Sequence, residues 1–498
     1  MNRHYTLVWA ILAVTTLAPV AGDGQLESDA KMVDLNVVVV DARGQPVTDL
    51  TSDDFQVTDA GKPQSIVYFQ HSDSRLQQPV ASGPNEFSNR NAGTIPHVTL
   101  ILFDQLNQRF GGRAIAANQM VKDLEKLESA DDLYLYLLTV DGRFQAVHGF
   151  EEGGSERPGE PPWTRQIKSR LDEATRASLR VRPVDIDVAV REQLTFRALD
   201  AIGAQLSRFP GRKNIVWVTD GVPMELGPRR SDTGDFVDFT PQIRMLSEVL
   251  DRSHVAIYPV RQVMLGSPDA IDGGTGVTSL ETLNDFAGMT GGRTDGGKDI
   301  GMAVQQAISD VRTSYQIGYF PPEKNWDGKF HKIRVTSKRK GVRIQTRTGY
   351  YAWQEAPGQR AQVAIDSVLA NPFDAGEIGL RATMGADPQQ PGGKRVAIHI
   401  DGGDVALTQE GRQYYGRLRV VIADYRTEGL VENARMFAVE PHYTPQEHDK
   451  AVQDGIDVSQ DFKPGDQARR IRVVVFDRNS NSVGSVTILM GVPEETRR

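Results

Sequence analysis

Between His97 and Thr313, short wholly apolar runs alternate with longer stretches whose apolar residues recur at helical spacing, and this alternation constrains the fold more than any other feature. The runs "VTLILFD", "LYLYLLTVD", "NIVWVTDGVP" and "VAIYPVR" lack the in-out alternation of a half-exposed strand, which is the pattern of strands buried on both faces. Between them, "RAIAANQMVKDLEKLES" sets Ile115, Met120, Val121, Leu124 and Leu127 on one helical stripe. "REQLTFRALDAIGAQLSRF", "IRMLSEVLDRS", "SLETLNDFAGMTGG" and "DIGMAVQQAISDVRTS" also read as helices, and "RFQAVHGF" as a further strand before the loop "EEGGSERPGEPP". The series predicts an α/β domain over 97–313, a doubly wound, mostly parallel sheet covered on both faces. Ligands of such sheets sit at the C-terminal ends of the strands, where Asp104 and Asp220 fall.

The flanks have a different texture. "VDLNVVVVDARGQPVTDLTSDDFQVTDAGKPQSIVYFQ" (33–70) has strand period with turn signals, and "YQIGYFPPEKNWDGKFHKIRVTSKRKGVRIQTRTGYYA" (315–352) repeats it. Neither block is long enough to enclose a core alone, so 33–70 and 314–352 are expected to combine into one β-sandwich with the α/β domain inserted between them. The segment from His71 to Pro96 has linker composition. Strand-rich runs after the polar "WQEAPGQRAQ" predict a second β-sandwich over 363–498, with a hairpin around "NSNS".

Composition narrows the function. The net charge of −8 leaves no basic surplus to replace the counterions of nucleic acid, and the basic cluster "SKRKGVR" suits a strand and turn. Cysteine is absent, which excludes disulfides, thiol catalysis and cysteine-zinc sites. Residues 1–22, with Arg3 and His4 before an apolar stretch from Leu7 to Leu17, have the build of a secretory signal peptide. The mature chain is then expected without a membrane span, in the periplasm or outside the cell.

"LTSDDFQVTDAGKPQSI", "TLILFDQLNQ", "NIVWVTDGVP", "TSYQIGYFPP", "DGKFHKIRV" and "GYYA" together resemble the exported bacterial VWFA-related family, over roughly two thirds of the chain from Val33 to Ala352. The resemblance implies a von Willebrand factor A-type domain that recognises a protein partner through a divalent cation, Mg²⁺, in a metal-ion-dependent adhesion site. That site usually takes Asp-x-Ser-x-Ser, a threonine and a second aspartate. Asp104 and Asp220 match the aspartates, but Leu106 and Gln108 occupy the serine positions and the threonine position falls near Gln193, with Thr195 two residues on. The implied metal ligands are therefore Asp104, Gln108, Thr195 and Asp220, a degenerate set in which Asn107 could substitute from a shifted loop. The other reading of the two aspartates is structural, as acceptors of loop N–H groups that finish the strands.

Other motifs carry less. "GRTDGGKD" (292–299) lacks the hydroxyl of a phosphate-binding loop, Asp299 standing in its place as a helix N-cap. "DRNSNS" (477–482) lacks the calcium-loop glycine, and the acidic "DIDVAVRE" (185–192) suits the start of a helix. No HExxH or GxSxG occurs. The expected function is an exported, non-enzymatic protein-binding protein, for adhesion or assembly. The alternatives are an envelope component that binds through its β-sandwiches and a hydrolase with an unrecognised site.

Overall fold

The run at 98–104 becomes the middle of a five-stranded sheet, ordered Val255–Val260, Lys213–Val218, Val98–Asp104, Leu133–Leu138, Phe144–His148. The first four strands are parallel and the last is an antiparallel edge. Every residue of the four parallel strands is buried, which is why their sequences carry no polar alternation. Successive side chains project to opposite faces. Leu100, Leu102, Ile215 and Trp217 pack with the helices Val188–Leu206, Thr240–Arg252 and Thr275–Thr290. Ile101, Phe103, Val216 and Val218 pack with Arg113–Leu124, Lys168–Ser178 and Ile300–Arg312.

This computed structural model describes residues 32–490 apart from internal stretches, the longer ones being 74–85, 91–97, 109–111, 128–132, 151–162, 179–187, 222–227, 231–235, 262–274, 295–299, 323–325, 354–358 and 371–373. The signal peptide expected at 1–22, Asp185, Asp187 and Asp299 lie outside the described residues. Among those described, no helix is long and apolar enough to cross a membrane.

The two flanking blocks share sheets. One is ordered Val342–Gln345, Val33–Asp41, Thr313–Tyr319, Tyr68–Asp73 and the other Gly349–Tyr351, Phe330–Ser337, Phe55–Asp59, Lys62–Gln64. Val33, Leu35, Val37 and Val39 from the first block close one core with Tyr315, Ile317, Ile333 and Val335 from the second. Further on, Ile456–Phe462, Lys394–Ile400, Leu380–Ala386 and Glu86–Ser88 face Leu430–Val439, Leu418–Thr427, Arg470–Asp477 and Val483–Leu489. The "NSNS" turn joins an antiparallel hairpin with Phe476 opposite Val483.

Two sequence expectations need correction. The stretch from His71 to Pro96 is not a plain linker, because Glu86–Ser88 adds an edge strand to Leu380–Ala386 and Arg90 pairs with Asp404 at 2.7 Å. The polar stretch near 360 holds a helix, Gln359–Ala370, whose Ala361, Ile365, Val368 and Leu369 cover the outer face of the last sheet.

Charged and polar side chains join the modules. Lys213, fully buried in the α/β sheet, faces the carboxylate of Glu377 at 3.6 Å, and Glu377 also accepts from Val483 N at 3.0 Å. Arg347 pairs with Asp251 and donates to Asp34 O at 2.6 Å. Asn36 Nδ2 lies 2.7 Å from His254 Nδ1. An amide nitrogen only donates, so that ring nitrogen accepts and carries no proton. Burial, with Lys213 nearby, accordingly pushes His254 down to about 3, so its 3.6 Å approach to Asp34 is not an ion pair.

Burial pushes the Asp34 carboxyl up to about 7, against the pull of Arg347. A carboxyl with a higher pKa folded than unfolded stabilises most below its unfolded value, and that contribution is lost as pH rises to the folded one. His254 has the opposite slope below its unfolded value of 6.5, so the comparison must be with a variant that keeps it. The stability of the wild type relative to Asp34→Asn, from urea unfolding, should therefore decline between about pH 4 and about pH 7 and then level off. A difference that grows with pH would contradict this assignment.

Candidate functional site

At the C-terminal end of Val98–Asp104 the backbone turns sharply, with Gln105 N and Leu106 N both donating to Leu138 O at 2.9 and 3.3 Å. Leu106 drops into the core beside Leu102, Leu138 and Phe196 and anchors the loop from below. A serine there would forfeit that anchor. Asn107 is thereby returned over Asp104, its backbone N–H donating to Asp104 Oδ1 at 3.0 Å in a local aspartate turn.

The other carboxylate oxygen receives three donors. Asn107 Nδ2 lies at 2.8 Å, Trp217 Nε1 at 3.0 Å and Thr219 Oγ1 at 3.0 Å from Asp104 Oδ2. Asn107 Nδ2 also donates to Thr195 Oγ1 at 2.8 Å, and Thr195 Oγ1 donates to Arg191 O at 2.8 Å. Thr219 Oγ1 accepts from Gly221 N at 3.1 Å, and Gly221 has φ of 106°, a conformation that other residues rarely adopt. Asp104, Thr195 and Thr219 have no exposed surface.

Burial pushes the Asp104 carboxyl above the ordinary range, and the hydrogen bonds from Asn107, Trp217 and Thr219 oppose it. Buried Arg113, at the start of the helix beneath the loop, senses the same charge. Burial lowers it to about 10 while Asp104 pulls it back up.

Of the four residues singled out in the sequence, Asp104 and Thr195 are brought together, with Asn107 as the bridge. Gln108 is buried, and neither of its amide atoms has a hydrogen-bond partner. Asp220 is half-buried in the turn between Thr219 and Gly221. Sequence reasoning missed Trp217, Thr219 and Arg113. The available signal was Trp217, an indole N–H inside an apolar run, which needs an acceptor when buried.

This arrangement does not fit a divalent cation. A cation between Asp104 and Thr195 would have to displace the Asn107 amide nitrogen, whose N–H dipoles repel it, and it would sit near the fixed charge of Arg113. Leu106 is turned inward and offers no donor. Among the described residues, no three His, Asp or Glu side chains gather as a metal group.

No family model matches the chain, and no curated protein matches it. Among solved structures, the human COPII-coat protein Sec24c is similar at 9% identity with a TM-score of 0.22. That alignment covers 52% of this chain and 44% of Sec24c, so this chain matches under half of that protein's length, too distant a likeness to carry an argument.

Removing the Asp104 carboxylate orphans buried donors on Asn107, Trp217 and Thr219, each at about 1–3 kcal/mol. Asp104→Ala should therefore lose several kcal/mol in urea unfolding, equally with Mg²⁺ or with EDTA. Gln108→Leu, which removes two unpartnered buried polar atoms, should raise stability by about 1 kcal/mol or more. A Gln108→Leu protein that is destabilised only in the presence of Mg²⁺ would instead mark Gln108 as a ligand.

Proposed function

We propose that the chain is an exported, non-enzymatic binding protein of the von Willebrand A type, and that the loops around Asp104, Thr195 and Asp220 meet a protein partner without a cation. The observation that carries this reading is the saturation of the Asp104 carboxylate by four donors of its own chain. In a metal-dependent adhesion site the cation both rigidifies the loops and ligates the partner. Here the Asn107 amide does the first task, and the second passes to the loop surface. Asp220, half-buried in the turn after Thr219, is an acidic group at that end of the sheet. The Thr219 hydroxyl beside the carboxylate has no exposed surface and is fixed between Asp104 Oδ2 and Gly221 N, out of reach of a substrate, which supports recognition over turnover. The flanking β modules set the height and angle of this face.

A photoreactive side chain placed at residue 220 tests the reading in the native exporting cell. It should give one discrete protein adduct, and the adduct should persist in EDTA. The control is the same group at Met436, which is 45% exposed on the last β-sheet. Adducts from 436 alone would shift the contacts to the β-sandwiches and favour an envelope component. Hydrolysis of an ester, peptide or glycoside substrate that is lost in Asp220→Asn would overturn the non-enzymatic reading.

A further inference from the structure

Residues 315–352 carry nine Lys or Arg against two Asp or Glu, a surplus of seven in a chain whose net charge is −8. The fold sorts part of that surplus onto one surface. In the strand Phe330–Ser337, His331, Ile333 and Val335 are buried while Lys332 and Arg334 are exposed. Side chains of a strand alternate between its faces, so Lys332 and Arg334 project from the outer face of the sheet Gly349–Tyr351, Phe330–Ser337, Phe55–Asp59, Lys62–Gln64. Lys338 and Lys340 continue the row into the exposed turn before Val342–Gln345. From Lys332 to Lys338 the row runs ~20 Å along the chain. On the neighbouring strand, the residues opposite Arg334 and Thr336 are Thr58 and Gln56, both uncharged.

Most acidic groups around this face are already engaged. Asp49 pairs with Arg339 at 2.5 Å. Asp54 Oδ2 accepts from Thr51 N at 2.8 Å and from Thr51 Oγ1 at 3.1 Å. Asp59 is buried beneath the sheet, where it accepts from the Tyr319 and Tyr350 hydroxyls at 3.2 and 2.9 Å. Asp327 lies 3.1 Å from His331 Nε2. Asp53, exposed at the hairpin end, is the counterweight to the row. Among the described residues, Lys332, Arg334, Lys338 and Lys340 have no ion-pair partner.

Unpaired cations in a row, on a protein that is negative overall, set the side from which an anionic partner can approach. Shape narrows the partner. Cations standing along a sheet face reach a common plane and meet a planar array of anions together, whereas a flexible polyanion is followed by a groove. We propose that this face of the first β-sandwich docks on the anionic phospholipid surface of a membrane, with Lys332, Arg334, Lys338 and Lys340 against the headgroup phosphates. Each Lys or Arg close to such a surface strengthens binding about fivefold. The docking face is separate from the loop face at Asp104 and needs no membrane span.

The test is co-sedimentation of the full mature chain with vesicles at low ionic strength. Vesicles of equal parts phosphatidylglycerol and phosphatidylcholine should bind it, and vesicles of phosphatidylcholine alone should not. Binding should fade as salt rises, because the charges are exposed. Arg334→Ser should weaken it about fivefold, and Lys332→Ser, Arg334→Ser and Lys338→Ser together roughly a hundredfold. All three side chains are exposed, so their removal leaves the core untouched. The control removes the same charge elsewhere, at the exposed Lys122, Lys450 and Lys463, by the same change to Ser. It should alter binding less than about threefold, since screening confines the attraction to charges near the membrane. No sedimentation with the anionic vesicles, or an equal loss in the control, would overturn the proposal. So would retention on heparin without vesicle binding, which would pass the face to an acidic polymer.

Discussion

A carboxylate sealed inside a protein must be met by donors, by a cation, or by a proton, and how Asp104 is met governs the whole loop-bearing edge of this sheet. Its four donors come from Asn107, Trp217 and Thr219, on two neighbouring strand ends. Through Asn107 the network continues to Thr195 on the helix Val188–Leu206, and through Thr219 to the Gly221 turn. One buried charge thus ties together three separate segments of the crest. The inward anchor of Leu106 makes the geometry possible, because it sets the loop height at which Asn107 reaches both partners.

The same logic of mutual completion holds between modules. Neither flanking block has a core until strands from the other pair with it, as Leu35 does opposite Ile317. The polar junction between the modules acts by specificity rather than by net stability. Lys213 and Glu377 are both buried, and burial pushes the amine down and the acid up while each holds the other's charge in place. A pair of this kind contributes little net stability, but leaving either partner alone is costly, so it fixes which surfaces may meet.

Much of this was legible from residue patterns. The parallel sheet was, because strands buried on both faces must be apolar throughout and the intervening helices keep a 3.6-residue stripe. The helix Gln359–Ala370 also had its spacing in Ala361, Ile365, Val368 and Leu369, but polar neighbours obscured it. Likewise Thr444 and Glu447 form a capping box that a sequence scan could find, starting the helix Pro445–Asp454. The edge strand Glu86–Ser88 had no signal of its own, since three residues have no period and its pairing is set by Leu380–Ala386. At the site, the two aspartates and Thr195 were visible as types at strand and loop positions. The partners of Asp104 were not, because which donor turns toward a carboxylate is decided by tertiary packing.

The central claim is that chain donors, not a cation, hold the Asp104 carboxylate. Its most direct measurement is the indole N–H resonance of Trp217, resolved among the five tryptophans by selective nitrogen labelling and assigned by its loss in Trp217→Phe. The account predicts a slowly exchanging proton whose shift and exchange rate do not change on adding Mg²⁺ or EDTA. A saturable shift with Mg²⁺, or exchange that quickens as the ion binds, would contradict it.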